Sequence, residues 1–326
     1  RAQVRAGNAM PFLQRSRQAP LARVSSRFLA AVAACACSLG LGGLCLAEPV
    51  SKSCQAAALG PKAGEEQLEA LGRPVPRYML KACNGDRCLA LRRWKETLTW
   101  RCNIGDEEIV SRPNPMYFKI QPHYPTFLHL TDRSGRLTYW EIIGKMDPSA
   151  LKNAGITVND IRANYIWQTL FTWDVWLQRD DVQEGTVIVD LEGFRFSQVT
   201  LFVVQMFAKT SSIIQRHFPD RDHVLIVINA PEWWGRVYDL FSPLFPEKQR
   251  RKLRVSVGQQ ASMQTLREYI DPKNLPAEYG GSSGPLGSAP ADAARRRSAA
   301  EGASPAARLK GARARAATGV GPLGLT

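Results

Sequence analysis

The spacing of apolar residues changes period several times along the chain, and each change marks an element. Residues 185–191, "GTVIVDL", and 223–230, "HVLIVINA", are almost continuously apolar or β-branched. Such runs, bounded and without polar alternation, read as strands covered on both faces, as in parallel sheets. From Gln198 to His217 the apolar positions recur with helical spacing. Strand, helix and strand make a βαβ unit and call for a mostly parallel sheet. Upstream, "TFLHLTDRSGRLTYWEII" (126–143) is two β-rich runs around the turn "DRSG", a hairpin pattern.

Other segments fill in around this unit. "CLALRRWKETLTWRCNIG" (88–105) interleaves Leu89, Trp94, Leu98 and Trp100 with Arg92, Arg93 and Lys95 at nearly helical spacing, so a small helical subdomain is expected there. Thr157 to Gln178 is aromatic and helical in spacing, and "PEWWGRVYDLFSPLF" (231–245) reads as a further helix. The basic "EKQRRKLR", a short strand "VSVG" and the helix "SMQTLREYI" follow. Residues 48–62 read as a linker, and the Ala, Arg, Gly, Pro and Ser composition late in the chain predicts a disordered tail over 286–326, because such a segment buries too little apolar surface to fold.

Charge changes the picture only when it is located. The chain has 326 residues and a formal charge of +14. Most of that excess lies in residues 1–60 and 281–326, leaving the folded body close to balance, so nucleic acid is not the expected partner. Arg15, Arg17, Arg23 and Arg27 precede "FLAAVAACACSLGLGGLCLA" (28–47), which is uncharged. A basic start, an apolar run and "CLA" before Glu48 have the layout of a cleaved signal or an organelle presequence. A retained anchor and a non-targeting leader are the alternatives. Cys83, Cys88 and Cys102 are the cysteines of the body, and their odd number and spacing indicate neither a disulfide framework nor a zinc site. Together with the lack of Asn-x-Ser/Thr acceptors, this gives an expectation of unoxidised surroundings.

No motif in the chain carries a complete set of catalytic groups. Asp190 and Glu192 end an apolar strand as in nucleotide hydrolases, but the chain has no G-x-x-x-x-G-K-[ST] phosphate cradle. Gly280 to Gly284 spells G-x-S-x-G, yet no apolar strand leads into it, and His123, His129, His217 and His223 all lie upstream, the reverse of the α/β-hydrolase order. Those histidines also lack metal-ligand spacing. No reaction and no metal is indicated.

Five segments in order, "YPTFLHLTDRSGRLTYWEIIGKMD", "TVIVDLEGF", "HFPDRDHVLIVINAPEWW", "LFSPLFPEKQRRKLRV" and "NLPAEYGG", resemble the CRAL-TRIO lipid-binding domain of the secretory phosphatidylinositol/phosphatidylcholine transfer proteins. The resemblance covers roughly 120–285, and 63–115 looks like the helical subdomain that accompanies it. It implies an α/β fold, a mostly parallel five-stranded sheet flanked by helices that enclose a hydrophobic cavity. The floor strand would then hold Asp190 as a brace.

The same likeness implies a non-enzymatic carrier, with no cofactor beyond a bound lipid, expected as a monomer that meets anionic membranes. A membrane-tethered scaffold with a vestigial cavity is the alternative. Wall candidates are Phe171, Phe202, Met206, Ile213, Val237, Leu240, Phe241 and Leu244; core packing explains each equally well, since core and cavity faces share one periodicity. Phosphatidylcholine-contacting residues of the family fall on Tyr139 and Glu141, while other headgroup positions fall on Leu128, Gly185 and Val187 and do not match. The acid and lysine of phosphatidylinositol binders fall on Lys209 and Ser242. Lys248, Arg250, Arg251, Lys252 and Arg254, after the segment that gates the cavity in the family, are the candidate membrane contacts.

Overall fold

The computed structural model describes residues 52–60, 62–177, 184–241 and 247–303. Its centre is a five-stranded sheet in sequential order: β1 (Thr126–Thr131), β2 (Leu137–Glu141), β3 (Gly185–Asp190), β4 (Asp222–Ala230) and β5 (Leu253–Val257). β1 pairs antiparallel with β2, and every later neighbour is parallel, which is the fold class expected from the runs of apolar residues. The hairpin closes as its sequence predicts. Asp132 Oδ1 accepts from the Ser134 and Arg136 N–H groups, and Gly135 takes φ +78°, a conformation that suits glycine.

Parity along the strands separates two environments. Trp140, Ile188, Val224, Ile226 and Ile228 are buried and pack with Leu266, Ile270 and Leu275 from beneath the sheet. Leu266 belongs to helix α12 (Gln259–Tyr269). Residues one step along point to the opposite face, as the pleat requires: Tyr139, Glu141, Val187, Val189, Leu225, Val227 and Leu253 line a cavity.

Among the described residues, α1 (Lys52–Ala58), α2 (Glu65–Ala70), α3 (Arg77–Ala82), α4 (Arg87–Ile104), α5 (Asp106–Ser111) and α6 (Pro115–Ile120) precede the sheet, and α7 (Pro148–Asn153) follows β2. α8 (Val158–Leu170) runs on as a π-helix (Phe171–Leu177). Then come α9 (Leu201–His217), α10 (Trp234–Phe241), α11 (Glu247–Arg250), α12, and α13 (Pro290–Glu301). Buried Arg101 of α4 lies 3.2 Å from Asp106 and 2.6 Å from Asp174, tying the N-terminal helices to the π-helix. An unpaired guanidinium there would be costly, so the two carboxylates fix the junction.

Two expectations are overturned. Residues 52–58 are a helix, not linker, and Cys54 forms a disulfide with Cys102. The pairing was missed because Cys54 was counted with the leader and its partner lies 48 residues away; spacing alone carries no signal of it. The unoxidised reading of the body cysteines falls with it. The disordered tail is also wrong over 290–301. α13 buries Asp292 and Arg295 completely, and Asp292 Oδ1 accepts from the edge-strand Leu128 N–H at 3.0 Å. Arg295 donates to the Thr126 carbonyl at 2.6 Å and to Gln168 Oε1 at 2.7 Å. An alanine-rich helix with little apolar surface is thus held by polar groups that cover a sheet edge. The residues from 304 onward, and the apolar run 28–47, lie outside the described residues. Among the described residues no helix is long and apolar enough to cross a membrane.

Candidate functional site

The cavity lies over the odd-numbered face of the sheet, roofed by α9, the end of α8, α10 and α11. Its empty volume, with the open mouth included, is about 1440 Å³. Val187, Val189, Leu191, Phe194, Val203, Phe207, Leu225 and Val227 make the greater part of its lining apolar.

Polar groups gather in one part of the wall. Tyr124, Tyr139, Glu141, Tyr165 and Asp222 all line it. Tyr124 donates to Glu141 Oε2 at 3.3 Å. Burial pushes the Glu141 carboxyl up to about 7, against the pull of hydrogen bonds from Tyr139 and Tyr124, and the nearby Asp222 adds to the rise. Asp222 is raised to about 6, first by burial, while Lys252 opposes and Asp220 and Glu184 reinforce it. The three tyrosines are held well above their ordinary range, burial first and Glu141 next. The three phenols stay neutral, and both carboxyls keep their protons to a higher pH than a carboxyl in water does. A smaller chamber continues behind Tyr139, Tyr165 and Asp222, lined by Leu128, Gln168, Thr172 and Trp173.

The residues predicted for the site divide clearly. Tyr139 and Glu141 line the cavity. Phe171 and Ile213 sit instead in the core between α8 and α9, Phe171 stacked at 5.8 Å on Trp167. Met206 is buried in the cluster beside the cavity, and Phe202 packs against that cluster with Lys152 5.3 Å over its ring. All four carry the helical period, but they pack within these clusters and are not among the residues that line the cavity. Val237, Leu240 and Phe241 belong to α10, though their side chains are not among those described, and Leu244 and Ser242 lie outside the described residues. Tyr124, Tyr165 and Asp222 were missed. Tyr165 sat within a segment read only as helix, and Asp222 stood just ahead of a run read as strand that in the structure begins with it; only the tertiary arrangement turns them inward.

The basic segment does not form one free stripe. Lys248 and Lys252 reach Asp220 at 2.8 and 2.5 Å. Burial works to raise the Asp220 carboxyl, but the hydrogen bonds from Lys248 and Lys252 hold it below its usual range. Lys252 also donates to the Asp222 carbonyl, and both Lys252 and Arg250 line the cavity. Arg251 pairs with Glu247 at 2.5 Å on an exposed surface, and Arg254 donates to Tyr269 Oη at 3.1 Å. Lys209 donates to Asn159 Oδ1 at 2.9 Å.

The motifs set aside as non-catalytic have structural partners. Asp190 accepts from Asn229 Nδ2, the Glu192 N–H and Tyr279 Oη at 2.9, 2.9 and 2.7 Å, which makes it the brace at the end of β3. Ser282, the serine of the G-x-S-x-G spelling, donates to the Pro272 carbonyl at 3.4 Å; its neighbour Ser283 lies 2.9 Å from His129 Nε2, but His129 Nδ1 has no hydrogen-bond partner among the described residues, so no acid orients the ring as a triad requires. No cluster of metal-ligating side chains occurs among the described residues.

An α/β unit whose parallel sheet is dry beneath and floors an apolar cavity above defines a class of cavity-bearing domains. Residues 121–281 match the CRAL/TRIO domain, so this part of the chain is a CRAL/TRIO domain, and its relatives are Sec14-like. It is 27% identical over 174 residues to the CRAL-TRIO domain-containing protein T23G5.2 of Caenorhabditis elegans, covering 50% of this chain and 23% of that one. To the phosphatidylinositol/phosphatidylcholine transfer protein SFH9 of Arabidopsis thaliana it is 25% identical over 208 residues, 62% of this chain and 36% of the relative. The SEC14 cytosolic factor of Candida glabrata is 25% identical over 214 residues, 63% of this chain and 68% of the relative. The chain thus spans about a quarter and about a third of the first two of these relatives. The crystal structure of Sfh5 superposes with a TM-score of 0.49 at 17% identity, over 57% of this chain and 67% of that one.

Proposed function

We propose that the protein is a non-enzymatic lipid carrier that holds one hydrophobic molecule in the cavity above the sheet and exchanges it at membrane surfaces. The observation that carries this reading is the lining of that cavity: apolar over most of its extent, with Tyr124, Tyr139, Tyr165, Glu141 and Asp222 as a polar part of the wall. A two-chain lipid exposes on the order of thirty methylenes, each favouring burial by about 0.8 kcal/mol, so shelter of this kind is the requirement of transfer. Relatives named as phosphatidylinositol/phosphatidylcholine transfer proteins support the same reading.

The cargo is a lipid with a choline-type or uncharged headgroup. Glu141, once ionised, and the tyrosine rings suit a quaternary ammonium through charge and cation–π contact. Lys209, at the position of the acid in inositide binders, bonds to Asn159 instead. A buried ligand group left without its partner costs about 1–3 kcal/mol, or roughly 5- to 150-fold in preference. The test is transfer between vesicles with phosphatidylcholine, phosphatidylinositol and a sterol as competing cargo. Phosphatidylcholine or the sterol moving fastest is expected; phosphatidylinositol moving fastest overturns the headgroup assignment.

A further inference from the structure

α1 has little apolar hold on the rest of the chain. Of its seven residues, Ser53 and Ala56 are buried, and Ala56 brings one methyl group to the cluster of Leu68, Met79, Trp94 and Leu98. Leu59, just past the helix, is exposed. A helix this short does not persist in water without tertiary support. That support includes a covalent bond, because Cys54 is joined to Cys102 of α4 across 48 residues of sequence. Both cysteines are half-buried rather than enclosed, so a thiol reaches the bond from solvent. Accessible disulfides are the ones that exchange.

What α1 covers gives the bond a further consequence. Ser53 Oγ donates to Asp106 Oδ2 at 3.0 Å, and the same carboxylate oxygen accepts from Arg101, the residue next to Cys102, at 3.2 Å. Arg101 also holds Asp174 at 2.6 Å. Asp174 belongs to the π-helix, whose Thr172, Trp173 and Leu177 line the smaller chamber behind the cavity. A line of contacts thus runs from the disulfide to the chamber wall. We propose that the Cys54–Cys102 disulfide is a thiol-exchange switch, whose reduction releases α1, opens Asp106 and Arg101 to water and loosens the π-helix. The reductant is a dithiol, which gives two electrons and two protons, leaves thiols at Cys54 and Cys102 and closes its own disulfide. Ion pairs that become wet attract weakly, so the clamp on Asp174 slackens once α1 has left.

The test is hydrogen exchange of the full chain read by mass spectrometry, with and without dithiothreitol, while alkylation and peptide mapping report which cysteines are free. Reduction should free Cys54 and Cys102 together and speed exchange of residues 52–58 at least tenfold and of residues 171–177 at least threefold. Oxidised glutathione should restore both segments. The paired Cys54→Ser and Cys102→Ser variant should exchange like the reduced wild type and ignore dithiothreitol, which sets this bond apart from any formed by the other cysteines. Transfer of phosphatidylcholine between vesicles should quicken at least twofold on reduction. That last effect rests on the carrier reading, whereas the release of α1 does not, so a protein that moves no lipid in either state counts against the carrier reading alone. Residues 52–58 that stay protected once both cysteines alkylate overturn the switch, as does a bond that dithiothreitol leaves intact in the folded protein. Release of α1 with residues 171–177 unchanged overturns its link to the cavity.

Discussion

The two faces of the sheet are built from alternate residues of the same strands, yet they meet different demands. Beneath, Ile188, Ile226 and Ile228 are fully buried against Leu266, Ile270 and Leu275. Above, Val187, Val189, Leu225 and Val227 present the same kind of side chain to a cavity. Apolar character is therefore not itself a sign of core. One face stabilises the protein by removing apolar surface from water, and the other keeps such surface available for a guest.

The sharpest way to break this comparison is to truncate neighbours. Ile226→Ala should cost about 2–5 kcal/mol, because a close-packed site cannot collapse around the void. Leu225→Ala, one residue away, only enlarges a space that exists and should lower the urea midpoint far less while weakening lipid retention. Equal destabilisation of the two variants would mean that both faces are core.

A second comparison concerns the carboxyls. Glu141 is raised from 4.5 to about 7 in the folded protein. An acid raised on folding gives up its proton first in the unfolded chain, so the contribution of Glu141 to stability is most favourable below about pH 4.5 and falls as pH rises to about 7. The fall should approach about 3 kcal/mol for lipid-free protein, at about 1.4 kcal/mol per unit. Glu141→Gln should flatten that part of the pH–stability curve measured by urea titration. A choline lipid, which favours the ionised form, should bind more tightly as pH rises through the same window. On the packed face, Asp190 is held by Tyr279 Oη at 2.7 Å; Tyr279→Phe should cost a smaller amount, about 1–2 kcal/mol in thermal unfolding, without altering lipid content.

The strands and hairpin were legible because their residues obey a local period and a turn chemistry. β3 and β4 stand where "GTVIVD" and "HVLIVINA" placed them, and the sheet is mostly parallel as their covered runs implied. Which of two faces holds the cavity was not legible, because Val187 and Ile188 are chemically alike. Phe171 and Met206 show the same limit on helices: a helical period marks an inward face, not what lies inside. Polar anchors escaped for another reason. Asp292 and Arg295 stand in a segment with the composition of a tail, and their value comes from Leu128 and Thr126, more than 160 residues away. Tyr139 and Glu141 reached the cavity list through family likeness alone, and Asp222 had no signal beyond its place at the start of a strand.

The central claim is that the odd-numbered face holds one lipid. Native mass spectrometry of the full chain purified from a eukaryotic host tests it directly, with Val187→Trp as the partner sample. The account predicts a wild-type mass increased by a single lipid and a folded Val187→Trp protein that carries none, because the indole fills the floor of the cavity. A bare wild-type mass, or a lipid that Val187→Trp retains, would contradict it.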